Sequence, residues 1–349
     1  MQALIAIARQ FADPIHQLSP LGGGLINDTF LVSTAAQPFV LQRINRQVFP
    51  VPELISTNLA VLAQHIAQKP AQGFELQLPA PISTLSGQPF YLDSQGDFWR
   101  ALSFIANSYS LQNPRHLHDV RQTGVALAHF HRLCSDLPVQ TLHDTLPGFH
   151  IAPDYLRHYR HTTAHSPVPV DAFCQQFIER HQAITRDLEQ AKQSGELTLR
   201  VIHGDPKLDN FLFDQHSGNI IGLVDLDTVK PGLVHYDIGD SLRSCCHSAD
   251  TGQFDLALCA AWLEGYLGQV GAFFSAADDR YLYPSIRLIP FELGLRFYTD
   301  YLDGNRYFKT TYAQQNLHRA QQQFRLCSDI MDKQADIKSL LHHLMPHRF

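Results

Sequence analysis

The stretch from Val201 to Arg243, VIHGDPKLDNFLFDQHSGNIIGLVDLDTVKPGLVHYDIGDSLR, constrains this chain more than any other part of it. Two short apolar runs, Phe211-Leu212-Phe213 and Ile220 to Val224, flank a turn at Asp214 to Asn219. That is the pattern of a β-hairpin. Polar residues crowd its open end. His203, Asp205, Lys207 and Asn210 precede the first run, Asp225 follows the second, and Asp237 comes soon after. An isolated Asp or Asn in a turn usually caps or bends the chain. An ordered set interleaved with apolar strands calls for another explanation. A hairpin of this length brings Asp225 back to where Asn210 stands. A carboxylate and an amide oxygen converging there make a hard-oxygen site suited to Mg²⁺.

The order H-x-D-x-x-x-x-N suits phosphoryl transfer to a hydroxyl. A hydroxyl is a poor nucleophile, so a carboxylate, Asp205, is expected to orient it and accept its proton. The side-chain carbonyl of Asn210 can reach a metal on the phosphates. Lys207 lies between them and can neutralise charge on the transferring group. Mg²⁺ on Asn210 and Asp225 would bridge phosphate oxygens. The expected cofactors are therefore ATP or another nucleoside triphosphate, and Mg²⁺.

The rest of the chain reads as α+β with two lobes. Residues 1–105 are expected to form a sheet-rich nucleotide-binding lobe. Strands are predicted at Thr29–Val32, Phe39–Leu41, Phe90–Leu92 and Trp99–Leu102, and a helix at Glu53–Ala67. Residues 106–349 are expected to form a helical lobe carrying the hairpin and the substrate pocket. Helices are predicted over 120–133, 172–193, 254–266 and 312–342. Clefts between lobes are common ligand sites.

On the nucleotide side, Gly22-Gly23-Gly24 precedes a strand and lets backbone N–H groups approach phosphates. The next strand should carry a cation for the phosphates, and it has no lysine. The position falls at Gln42 or Arg43, and strand alternation lets only one of them face the cleft. Arg43 is favoured because charge neutralisation needs a cation, while Gln42 fits the shorter register. Glu53 is a candidate partner for that cation. Ser103 to Asn107 is the expected connector, where backbone groups can read an adenine edge.

Composition narrows the function classes. A net charge of −6 argues against a nucleic-acid partner, which needs a concentrated basic surface. No apolar run approaches the roughly 18–20 residues of a membrane span, and the start, MQALIAIARQF, lacks the basic flank of a secretion signal. A cytoplasmic location is expected. The six cysteines form no C-x-x-C and no framework, so they are expected to be free, packed thiols. Twenty histidines invite a metal site, but His158, His161 and His165 lack the Cys or carboxylate pattern to complete one. His129 and His131 diverge on their helix.

Val201–Arg243 resembles the aminoglycoside phosphotransferase and choline kinase superfamily, whose fold is protein-kinase-like. Within it, IGLVDLDTVKPGLVHYDIGDSLR, GGGLINDTFLV, FVLQRINRQVF and LGLRFYTDYLDGNRYFK look most like the N-acetylhexosamine 1-kinase branch. The resemblance covers most of residues 20–330. It implies that Asp205 is the catalytic base, that Asn210 and Asp225 hold the metal, and that Asp237, with His203, supports the catalytic loop. It places Asp227 and Thr228 beside the metal, able to face a sugar, and Arg296 and Tyr307 in the sugar pocket. Leu25 stands where the branch usually has a histidine close to the sugar, a departure that bears on the N-acetyl preference. The implied partner is a small molecule, a sugar before an aminoglycoside, choline or amino alcohol. Cationic acceptors want an acidic pocket, and the helical lobe shows no acidic run beyond Asp250, Asp255, Asp278 and Asp279. A nucleotide-binding pseudokinase stays open because the strand lysine is missing.

Overall fold

Alternation in the first hundred residues builds one antiparallel sheet. In the computed structural model, which describes residues 2–24, 26–69, 76–248 and 251–345, its strands are β1 Ile15–Pro20, β2 Asp28–Thr34, β3 Phe39–Ile44, β4 Pro81–Ile82, β5 Tyr91–Leu92 and β6 Phe98–Ser103. They lie in the order β1-β2-β3-β6-β4, with β5 also paired to β6. Both faces of β3 and β6 carry apolar residues. Phe39, Leu41, Trp99 and Ala101 pack outward against Ile7, Ala8 and Phe11 from the N-terminal segment. Ile44, Phe98 and Leu102 pack inward with Ile55, Leu59 and Leu62 of the Glu53–Ala67 helix. This inner core continues into the second lobe.

The second lobe is mainly helical. It carries β7 Ser108–Tyr109, β8 Arg200–Ile202, β9 Phe211–Asp214, β10 Ile220–Leu223 and β11 Lys230–Gly232. The hairpin β9–β10 forms where it was expected, and β7 pairs with β9 at its edge. A short second ribbon pairs β8 with β11. Among the described residues no helix is long and apolar enough to cross a membrane. All six cysteines are free and buried.

Two expected helices are broken. The 172–193 segment forms Ala172–His181, a 3-10 turn at Gln182–Arg186, and Asp187–Gln193. Cys174, Phe177 and Ile178 belong to the outer C-terminal core, whereas Leu188 and Ala191 belong to the inner one. The tighter turn, with Thr185 Oγ1 donating to the Gln182 carbonyl at 2.7 Å, re-aims the buried face between them. The 312–342 segment likewise splits into Gln315–Asp332 and Gln334–Leu344. The first of these reaches both cores, Phe324 and Cys327 the outer one and Leu326 and Ile330 the inner one, and Ile337 and Leu341 continue the inner contact. Lys333 stands at the break, its ammonium 2.6 Å from the Phe254 carbonyl.

The helices Leu117–Leu133 and Leu256–Leu267 cross at glycines. A Cβ on Gly124 would sit 2.3 Å from the Trp262 carbonyl oxygen, and one on Gly265 would sit 2.2 Å from that of Arg121. The obstacles are backbone atoms of a packed helix, which cannot swing aside. Gly124→Ala is therefore expected to destabilise the fold by about 1–3 kcal/mol, despite the better helix propensity of Ala. Urea unfolding would show this as a lower midpoint at constant slope. An unchanged midpoint would mean that the crossing is looser than described.

Candidate active site

The hairpin and the loop before it place the polar set. Leu223 pairs with Phe211, and the Val224 N–H donates to the Asn210 carbonyl at 2.9 Å. Asn210 and Asp225 thus stand at the same open end of the hairpin. The Asn210 amide donates to the Asp205 carbonyl at 2.7 Å, which leaves its own oxygen turned to other partners. Lys207 Nζ lies 2.7 Å from Asp205 Oδ2 and 3.6 Å from Asp225 Oδ2. Both carboxylates and the ammonium are about a third exposed, so this end opens to solvent.

The electrostatics follow from that cluster. Burial pushes Asp205 up, but the Lys207 ammonium overrides it and holds the carboxyl below the ordinary range. Asp205 is therefore ionised at neutral pH and can receive a proton. Burial also raises Asp225, to about 6, against Lys207 and with help from Asp227 and Asp205. A carboxylate that is costly to keep charged and a free amide oxygen together suit a hard divalent cation. Among the described residues no group of three or more His, Cys, Asp or Glu is arranged to hold a metal. Two protein oxygens plus phosphate oxygens fit Mg²⁺, which typically keeps non-protein ligands.

The loop is braced from beneath. Asp237, fully buried on the Val234–Cys245 helix, accepts from the N–H groups of His203 at 2.7 Å and Gly204 at 2.8 Å. Its Oδ2 also accepts from His131 Nε2 at 2.9 Å. Burial lowers the His203 pKa, so the ring is neutral. Its Nε2–H donates to the Val224 carbonyl at 3.0 Å, and Nδ1 accepts from the Asp205 N–H at 3.2 Å. One ring thus ties the catalytic loop to the hairpin end. Gly204 has φ +89°, and a Cβ there would meet Thr228 at 2.7 Å, so only glycine fits. Thr228 Oγ1 donates to the His203 carbonyl at 2.8 Å.

His150 adds a third brace. It stacks between Phe149 and Tyr236, reaches the Gly204 carbonyl at 2.7 Å, and pairs with Glu292 at 3.0 Å. Burial alone would lower its pKa, but the Glu292 carboxylate raises it above the ordinary histidine value. A raised folded pKa stabilises the fold fully below the unfolded value of about 6.5. That stability is lost as pH rises through the folded pKa. His150→Gln should accordingly lose more stability at pH 6 than at pH 9, read by urea unfolding. An equal loss at both would show that the ring is neutral.

The strand positions resolve by alternation. Gln42 shares the inner face of β3 with Ile44. Its Oε1 accepts from Arg100 Nη2 at 2.7 Å across the β3–β6 pair. Arg43 falls on the outer face over the Trp99 ring, with salt bridges to Asp28 at 2.5 Å and Asp97 at 2.9 Å. The favoured cation thus points away from the cleft, because both faces of β3 are apolar and the pattern alone did not choose between them. Glu53 heads its helix, and the carboxylates that hold Arg43 are Asp28 and Asp97. The inward cation is Arg100, buried and ion-paired with Asp227. A lone arginine inside the apolar run FWRALS was its sequence signal, since a buried charge is seldom unpaired. Gly22, Gly23 and Gly24 lie exposed in the β1–β2 turn, and Leu25 lies outside the described residues.

A cavity of about 370 Å³ opens beside the loop, lined by Phe149, Tyr155, Arg296, Asp300, Tyr307 and Phe308 among others. Arg296 and Tyr307 line it; Asp227 and Thr228 do not. Arg296 sits 4.9–5.8 Å from the ring centres of Phe149, Tyr155, Phe308 and Tyr307. Burial opposes its charge, but Tyr155, Tyr307, Glu292 and Asp205 keep it well above its ordinary pKa. Phe149 in the cavity wall precedes His150, whose ring reaches the Gly204 carbonyl at 2.7 Å, which sets the cavity beside the loop. Tyr155 and His131 were missing from the expected site. Tyr155 lies on the helix Ala152–Ala164, beside the buried Leu156 and Tyr159, and His131 had looked like half of a divergent pair.

Solved structures share this fold at low sequence identity. A microcompartment-associated aminopropanol kinase matches with a TM-score of 0.69 at 18% identity, over 94% of this chain and 98% of that one. Aminoglycoside 2′-phosphotransferase-IIIa, solved with GDP, gives 0.61 at 15%, over 93% and 97%. An amicoumacin kinase, in complex with AMP-PNP and Ca²⁺, gives 0.60 at 16%, over 95% and 93%. The two-lobed α+β architecture is that of the protein-kinase-like phosphotransferases. The model of the phosphotransferase enzyme family, APH, matches residues 17–273, which hold the glycine turn, Arg100, the catalytic loop and the hairpin, and the chain belongs to that family of small-molecule kinases.

Proposed function

We propose that this kinase phosphorylates a sugar, with the anomeric hydroxyl of an N-acetylhexosamine or related hexose as the acceptor. ATP or another triphosphate is the donor, residues 1–105 hold it, and the Gly22–Gly24 turn and Gln42 face its phosphates. The carrying observation is Arg296, a permanent cation set in an aromatic cage at the cavity wall. It repels an ammonium acceptor and donates to oxygens. Of the carboxylates in the same wall, Asp303 lies 3.6 Å from the Arg306 guanidinium and Asp300 is tied down within the protein. Asp300 already accepts from the N–H groups of Arg306, Tyr307 and Phe308 and from Asn316. Flat rings with a few fixed polar groups suit a sugar's apolar face and its hydroxyls.

In this reading Asp205 orients the acceptor hydroxyl and takes its proton, and Lys207 faces the transferring group. Asn210 and Asp225 hold Mg²⁺, which when bound supplies charge neutralisation on the phosphate oxygens. His203 and Asp237 keep the loop still, and Arg296 and Tyr307 fix the sugar.

The test is ADP release with ATP and Mg²⁺ over hexoses, N-acetylhexosamines, choline, aminopropanol and aminoglycosides, followed by ³¹P NMR of the product. An anomeric phosphate supports the reading, and turnover confined to amine acceptors sinks it. Arg296→Gln should raise the acceptor KM by on the order of 10–100-fold, the loss of a charged hydrogen bond, while the ATP KM stays near wild type. A change in the ATP KM alone would place Arg296 on the donor side.

A further inference from the structure

The turn that carries Asp225 is clamped by the other lobe. Arg100 Nη2 forms an ion pair with Asp227, and each side chain is only 3% exposed. The other Asp227 oxygen accepts from Asn27 Nδ2 at 2.8 Å, and Asn27 Oδ1 accepts from the Asn45 N–H at 3.0 Å. Arg100, Asn27 and Asn45 all belong to the sheet lobe. From the helical lobe, Thr145 Oγ1 donates to the Asp227 carbonyl at 2.7 Å. Asp225 itself has φ +65° and ψ +54°, left-handed and not glycine. Such a conformation costs about 1–3 kcal/mol and persists only where its surroundings over-determine it.

We propose that Arg100 is a positioning residue for metal binding. Through Asp227 it holds the 225–228 turn so that the Asp225 carboxylate stays on the side of Asn210. The inference rests on the reading that Asp225 and Asn210 hold Mg²⁺. Stability gives little reason for the pair, since buried ion pairs are often no better than apolar packing. This one also leaves Arg100 Nη1 buried without a partner among the described residues, a further cost. Alignment gives a reason. The ion pair joins β6 of the nucleotide lobe to Asp227, two residues after the metal ligand on the same turn of the catalytic lobe, so the lobes must be in register for Asp225 to face its ion. The third strand, with Gln42 inward, uses its side chain to hold Arg100 rather than to supply a charge.

Removing the Arg100 cation alone strengthens metal binding at Asp225 through space, whereas removing an aligner weakens it, so the charge-keeping variant Arg100→Lys is the one that reports position. The double variant Arg100→Gln/Asp227→Asn removes the pair, keeps the net charge and leaves no lone buried ion. Mn²⁺ is titrated into the ADP complex and followed by loss of the free-ion EPR signal, and ADP affinity without metal is measured by calorimetry. The expected result is Mn²⁺ affinity about 10-fold weaker or more, the usual effect of losing an outer support of a metal ligand, with metal-free ADP affinity near wild type. Arg100→Lys keeps the charge but cannot reach both Gln42 and Asp227, and should weaken Mn²⁺ less. It also serves if the double variant does not fold. Unchanged Mn²⁺ affinity in both variants overturns the inference. So does a parallel loss of metal-free ADP affinity, which would make Arg100 a phosphate contact. If the wild-type ADP complex binds no Mn²⁺, the metal assignment itself falls, and the inference with it.

Discussion

Asp205→Asn should lower turnover by about 10²–10⁴-fold, the usual contribution of a positioned general base, with ADP affinity close to wild type. The asparagine keeps the shape and can still hydrogen-bond the acceptor hydroxyl, but it cannot take a proton. The loss should therefore fall on kcat rather than KM. Lys207 gives the experiment a second reading. In the wild type its ammonium lies 2.7 Å from Asp205 and 3.6 Å from Asp225. With residue 205 neutral, it turns to Asp225 and competes with the metal there. A modest rise in the Mg²⁺ requirement should accompany the loss of turnover. Turnover within about tenfold of wild type would be too small a loss for a general base and would move that role to another group.

Asp237→Asn should act on the fold itself, destabilising it by about 3–5 kcal/mol, the usual cost of breaking a buried charge network. Asp237 is completely buried and accepts from three N–H donors, two of them the backbone groups of His203 and Gly204. An amide can accept at one atom only, and its NH₂ would face a donor. The loop above would lose its floor, so activity should fall together with the urea midpoint. If activity falls while the midpoint holds, the residue acts on the loop's position and not on the fold. Asp237→Ala should be no better, because it leaves the same N–H groups without acceptors.

The hairpin and its polar end were legible because they are local. Asn210 and Asp225 meet through adjacent strand pairs, so spacing and turn chemistry suffice to bring them together. Lys207 and His203 follow from the same short loop. The helix at Glu53–Ala67 was legible from its stripe. The Leu282–Leu302 helix was not, because it is buried on nearly every side, contains Pro290, and has no polar face to set a period. Arg296 on that helix came from the family resemblance rather than from any pattern.

The sequence by itself determined the fold class, the phosphotransfer motif and the ends of the hairpin that carry it. Only the tertiary structure decided which strand residue faces the cleft, that Arg100 and not Arg43 is the inward cation, and that Asp227 serves the lobe contact and not the cavity. It also brought His131 and Tyr155 to the site from distant helices, and His150 from the turn before the second of them. The physical reason is range. A turn or a hairpin is fixed by neighbours in the chain, whereas the facing of a strand with two apolar sides, and the partner of a buried charge, are set by whichever lobe packs against it.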